Sequence, residues 1–186
     1  MKGEASDMVT RTALCAAASS AAISTALLGG CGGGGDANTT PVRYARIVDY
    51  AVTPATMRAP ANNAEIQNLQ LAYDVDFKSD TFLPTYRLTT HVLPTGQSLV
   101  SADQSAGRIH TQNCGQAGYA CGNPHTKACD IQAGWIKATQ RHLRCDSYNL
   151  GLELDPGVYQ FVANVCEITT SAITNCTTKT VLVTLQ

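Results

Sequence analysis

The sequence predicts an all-β domain, a two-sheet sandwich of about seven strands carrying a disulfide-held insertion. Three observations carry that prediction. Several segments alternate apolar and polar residues at period two, the pattern of strands buried on one face. Pro and Gly interrupt these segments at short intervals, as turns between strands require. Six cysteines crowd the C-terminal half, an even set suited to cross-linking a small exported domain.

Taken in order, Val42, Tyr44, Val48, Tyr50 and Val52 line one face of a first strand that Pro54 ends. The cleanest alternation runs from Leu69 to Phe77, with Leu69, Leu71, Tyr73, Val75 and Phe77 on one side and Gln70, Asp74 and Asp76 on the other. Tyr86, Leu88, Thr90 and Val92 mark the next strand, closed by Pro94. Residues 107–146 break the pattern. They hold Cys114, Cys121, Cys129 and Cys145, Gly115, Gly118 and Gly122, and Trp135, and are expected to form a long Cys-rich insertion. Within it, Ile131–Leu143 is compatible with a helix capped by Asp130 or with a strand. Leu150, Leu152 and Leu154 form a short strand before the turn Asp155-Pro156-Gly157.

The C-terminal segments supply an internal check. Placing Cys166 opposite Cys176 in a hairpin puts Phe161 across from Val181 and Tyr159 across from Val183. Tyr159, Phe161, Ala163 and Val165 then share a face with Val181 and Val183, and a slip of one residue would expose the whole set. Facing Cα atoms lie roughly 4.5–5.5 Å apart in such a pair, within the reach of a disulfide. The segment Asp155-Pro156-Gly157-Val158-Tyr159 resembles the turn and Tyr that lead into a late strand of immunoglobulin-like and fibronectin-type sandwiches. That resemblance covers about thirty residues and implies a tyrosine corner, the hydroxyl bonding back to the preceding loop. The Cys166–Cys176 pair departs from the immunoglobulin pattern, because it staples a hairpin rather than joining two sheets.

The N-terminus has a different character. Lys2 and Arg11 precede an Ala-rich apolar run from Thr12 to Leu28, followed by Leu28-Gly29-Gly30-Cys31. This run is too short and too weakly apolar for a stable span. The tetrapeptide resembles the lipobox of bacterial lipoproteins. The resemblance implies a signal peptide over 1–30, acylation of Cys31, and a flexible tether over 31–41 leading to the domain at 42–186. Three acyl chains on one cysteine hold far more firmly than a single myristoyl group. Gly32 after the cysteine implies the outer membrane of a bacterial envelope. Met8 offers a more conventional signal start than Met1, since Glu4 and Asp7 then drop out.

Charge narrows the function classes. Removing 1–30 takes away Lys2, Arg11, Glu4 and Asp7 and leaves the net charge at −1, without the clustered basic field of a nucleic-acid binder. About 145 residues follow the tether, enough for one core. Cys114, Cys121, Cys129, Cys145, Cys166 and Cys176 are expected as three disulfides. A metal site with His110, His125 and His142 is the competing reading, but C-x6-C-x7-C-x15-C lacks the close pairs of structural zinc. Among Cys114, Cys121, Cys129 and Cys145 three pairings are open, one of them Cys114–Cys121 with Cys129–Cys145.

Motifs for hydrolytic, metallopeptidase, phosphate-binding or dithiol chemistry (G-x-S-x-G, H-E-x-x-H, a Gly-rich phosphate loop, C-x-x-C) do not occur, and no cofactor is expected. His91 is expected outward on its strand and inert. Lys137, Arg141, His142 and Arg144 beside Trp135 form a modest basic group suited to an anionic glycan or lipid headgroups, or else a solvated face. The expected function is a lipid-anchored, non-enzymatic binding module with a protein or glycan ligand and no nucleic acid. The alternatives are a small envelope hydrolase, using carboxylates such as Asp74 and Asp76, and an accessory lipoprotein of a secretion or assembly system. A cleft with converging carboxylates would favour the enzyme, and exposed aromatics on a loop would favour binding.

Overall fold

The computed structural model describes residues 44–186, except 59, 61, 63, 79–84, 115–124, 148–149 and 170–171. The signal segment 1–30, Cys31, the tether, Val42 and Cys121 therefore lie outside the described residues. Contacts divide the chain into Met1–Ala37 and Asn38–Gln186, and everything below belongs to the second unit.

Ten strands are described, with no helix among the described residues: β1 (Tyr44–Thr53), β2 (Thr56–Met57), β3 (Gln67–Lys78), β4 (Thr85–Pro94), β5 (Arg108–Cys114), β6 (His125–Ala133), β7 (Arg141–Arg144), β8 (Leu152–Leu154), β9 (Gly157–Ile168) and β10 (Ile173–Leu185). They form two curled five-stranded sheets, ordered β1-β3-β6-β7-β8 and β2-β10-β9-β4-β5. All described pairings are antiparallel except that of β2 with β10.

The expected strand faces pack against one another to make the core. Leu69, Leu71, Tyr73 and Val75 of β3 meet Tyr86, Leu88 and Val92 of β4 and Phe161, Ala163 and Val165 of β9, all buried. One hydrogen bond crosses between the sheets here, Tyr73 Oη to Thr90 Oγ1 at 2.6 Å. In β1 the predicted face holds for Tyr50 and Val52 but not for Val48, which is 44% exposed. A bulge between Ile47 and Asp49 leaves Val48 unpaired, so Ile47 turns inward instead.

The β9–β10 hairpin takes the predicted register. Val181 faces Phe161 and Val183 faces Tyr159, and Thr177 still faces Val165. A bulge between Thr174 and Thr177 then admits the extra residue, with Asn175 at φ 52°. Cys166 and Cys176 are joined beside it, their Cα atoms 4.1 Å apart. Tyr159 Oη donates to the Asp155 carbonyl at 2.9 Å, the corner contact its segment implies.

Residues 107–146 are corrected from an insertion to three structural strands. β5 forms an edge of one sheet, while β6 and β7 extend the other beyond β3. Their period-two pattern is masked because inward positions carry His110, Cys114 and Cys129 rather than aliphatic side chains. Ile131–Leu143 is neither one helix nor one strand: it spans the end of β6, a turn and most of β7, with Ile131 facing Leu143. The Cys129–Cys145 disulfide, both residues buried, ties β6 to the residue after β7. Cys114 is also disulfide-bonded.

Candidate functional site

The β6–β7 turn presents the most distinctive surface. Gly134 N–H donates to the Gln140 carbonyl at 2.9 Å, and Gln140 N–H to the Lys137 carbonyl at 2.9 Å, closing a tight turn. Gly134 is required there, because a Cβ would lie 2.5 Å from the Lys137 carbonyl oxygen and 2.6 Å from Glu153 Oε2. Trp135 follows, 67% exposed, beside Ile136 at 74%.

Trp135 is exposed but not loose. One indole face stacks on the buried His142 ring, centroids 3.9 Å apart and planes 18° from parallel. Glu153 Oε1 accepts from the Trp135 backbone N–H at 3.1 Å and lies 2.8 Å from His142 Nδ1. Since a carboxylate only accepts, that geometry puts the imidazole proton on Nδ1. Behind the ring, Gly151 (φ 84°) leaves no room for a side chain, its Cβ position lying 2.5 Å from His142 Cε1. The imidazole thus backs one indole face while the carboxylate fixes the Trp135 backbone and the imidazole, and the side chain stays two-thirds exposed.

The expected basic group does not assemble. Successive strand residues point to opposite faces, so Arg141 and Leu143 turn inward while His142 and Arg144 turn outward. Arg141 is buried, donating to the carbonyls of Thr139 and Gln140 at 2.9 and 3.1 Å and to that of Gln186. Arg144 lies 3.5 Å from Asp130 in an exposed ion pair. Lys137 stays exposed on the turn. Of the four expected binding residues, the structure keeps Trp135 and Lys137 on one accessible turn and commits Arg141 to the fold. Sequence reasoning missed Glu153, visible only as the outward residue between Leu152 and Leu154, and the two glycines that frame His142.

A second cluster lies between the sheets. Tyr50, Tyr73 and His125 form a cross-strand row on β1, β3 and β6, and Tyr73 is stacked 5.1 Å from Tyr50. Opposite them, His110 pairs with Thr90 beside a β4–β5 bulge. His110 Nδ1 is 3.1 Å from Asp146 Oδ2, and Asp146 also accepts from Lys127 Nζ at 2.7 Å and Thr111 N–H at 3.0 Å. Burial by itself would raise the Asp146 carboxyl, but hydrogen bonds from His110 and Lys127 hold it well below the usual range. Burial pushes the Tyr73 phenol up. No three His, Cys, Asp or Glu side chains form a metal-ligating group among the described residues.

The carboxylates considered for hydrolysis are placed otherwise. Asp76 pairs with Arg46 at 2.9 Å, and Asp74 faces Asp49 across β1–β3, both on the outer face of their sheet. An open groove of about 430 Å³ lies over β9 and β10, with Val100, Gln160, Asn164 and Thr178 in its walls, and among the described residues no ionisable side chain lines it. His91 points outward as expected, yet is fully buried, because the β4–β5 connection folds over it, tied by Arg87 to Asp103 at 2.8 Å. The chain matches no protein-family model, no curated protein and no solved structure.

Proposed function

We propose that this chain is a lipid-anchored protein of a bacterial envelope whose β-domain is a non-enzymatic binding module. The observation that carries the binding reading is Trp135. It is the only tryptophan in the sequence, two-thirds exposed and stacked on buried His142, which Glu153 holds in place. An exposed aromatic held rigid gives contact area at low entropic cost, the character of a binding hot spot. Ile136 and Lys137 extend the patch with an apolar and a cationic group, suiting a protein or glycan ligand. Anchoring through Cys31 in the outer membrane rests on Leu28-Gly29-Gly30-Cys31 and Gly32, and the paired cysteines fit an oxidising compartment.

Kinship with immunoglobulin-like sandwiches belongs to the same proposal. The order β10-β9-β4-β5 corresponds to G-F-C-C′, β1 beside β3 to A and B, and Tyr159 supplies the corner. The other sheet departs: the strand beside β3 precedes the outer strands in the chain, whereas in the A-B-E-D sheet it follows its outer neighbour.

Photo-crosslinking from position 136 in living cells, followed by affinity measurement on the captured ligand, tests the binding reading. Trp135→Ala is expected to weaken that ligand about 30-fold, the effect of losing a hot-spot residue. Equal affinity with and without the indole would refute the assignment.

A further inference from the structure

We propose that the layer between the sheets is a transition-metal site in which His110 Nε2 and His125 Nε2 bind one Cu²⁺, Ni²⁺ or Zn²⁺ ion, with water completing its coordination. His110 is 2% exposed, and its Nδ1 is occupied by Asp146. That arrangement fixes the tautomer and directs the lone pair of Nε2 away from the carboxylate, which is how metal-binding imidazoles are oriented. His110 Nε2 and His125 Nε2 are both withdrawn from solvent and without a hydrogen-bond partner. Two such nitrogens on neighbouring rings leave room for one shared partner, since a buried polar atom left unpaired costs about 1–3 kcal/mol.

The spacing is compatible with a shared ion. With a metal–nitrogen bond of about 2.0 Å, two imidazoles on one metal place their centroids at most about 6.4 Å apart. The His110 and His125 rings are 5.7 Å apart. Imidazole ligands suit copper, nickel and zinc rather than magnesium or calcium. Access is from the side of the sandwich, where Lys127 and Asp146 are 30% and 23% exposed.

The test is titration of the full chain with CuCl₂, NiCl₂ and ZnCl₂ separately in a non-chelating buffer. One ion per chain is expected, with two nitrogen couplings in the Cu²⁺ electron paramagnetic resonance spectrum. The imidazole ¹⁵N shifts of His110 and His125 should both move on adding Zn²⁺. His125→Gln and Asp146→Asn should each weaken binding by about tenfold or more, the second although both ligands remain. The proposal is overturned if no ion binds more tightly than about 1 mM, if either imidazole is unmoved, or if folded variants bind as the parent does. Should the variants not fold, the ¹⁵N shifts of the unaltered protein decide alone.

Discussion

Individual residues here are constrained mainly by what surrounds His142 and Tyr73. Gly151→Ala forces a side chain into a left-handed backbone position and against the imidazole. Left-handed strain and overpacking each cost about 1–3 kcal/mol, so a loss of at least about 2 kcal/mol is expected in urea unfolding. Tyr73→Phe leaves Thr90 Oγ1 buried without its cross-sheet partner and should cost about 1–3 kcal/mol by the same measurement. His91 carries a pH effect. Burial, supplemented by Arg108 and opposed by a backbone hydrogen bond, lowers its pKa below the ordinary 6.5. The unfolded chain therefore binds the proton more readily, and the stability this group contributes above pH 6.5 is lost as pH falls through the folded value. Thermal midpoints recorded from pH 7.5 to 5 should fall with pH, and His91→Leu should flatten that slope. The outward placement of His91 was legible from alternation, but its burial was not, because the covering loop adds no periodic signal.

At the scale of elements, cross-links and register reinforce each other. The Cys129–Cys145 disulfide closes a separation of 16 residues between buried positions, and Cys166–Cys176 closes one of 10 within a hairpin already paired along its length. Replacing both Cys129 and Cys145 with Ser should cost about 3 kcal/mol, and the Cys166/Cys176 double replacement less, compared by urea midpoints of the oxidised proteins. The hairpin was legible because two independent patterns, aliphatic alternation and cysteine spacing, gave the same register. β5, β6 and β7 were not legible, since polar and sulfur-bearing residues occupy their inner faces. The bulge at Val48 escaped for a related reason: one unpaired residue inverts the faces upstream of it without altering composition.

For the whole molecule, the proposed anchor and the proposed binding surface lie on separate parts of the chain and are testable separately. If Cys31 is acylated, the protein extracted from membranes should have an intact mass matching a chain from Cys31 plus three acyl groups, and Cys31→Ser should release an unlipidated form. The sequence alone determined the all-β class, the C-terminal register and the Cys166–Cys176 pairing, because periodicity and spacing are properties of consecutive residues. The tertiary structure decided how the ten strands divide between two sheets, and that His110 and His125 share a layer with Tyr73. It also decided that Arg141 is buried while Trp135 is exposed, because each depends on which distant strand lies across the core.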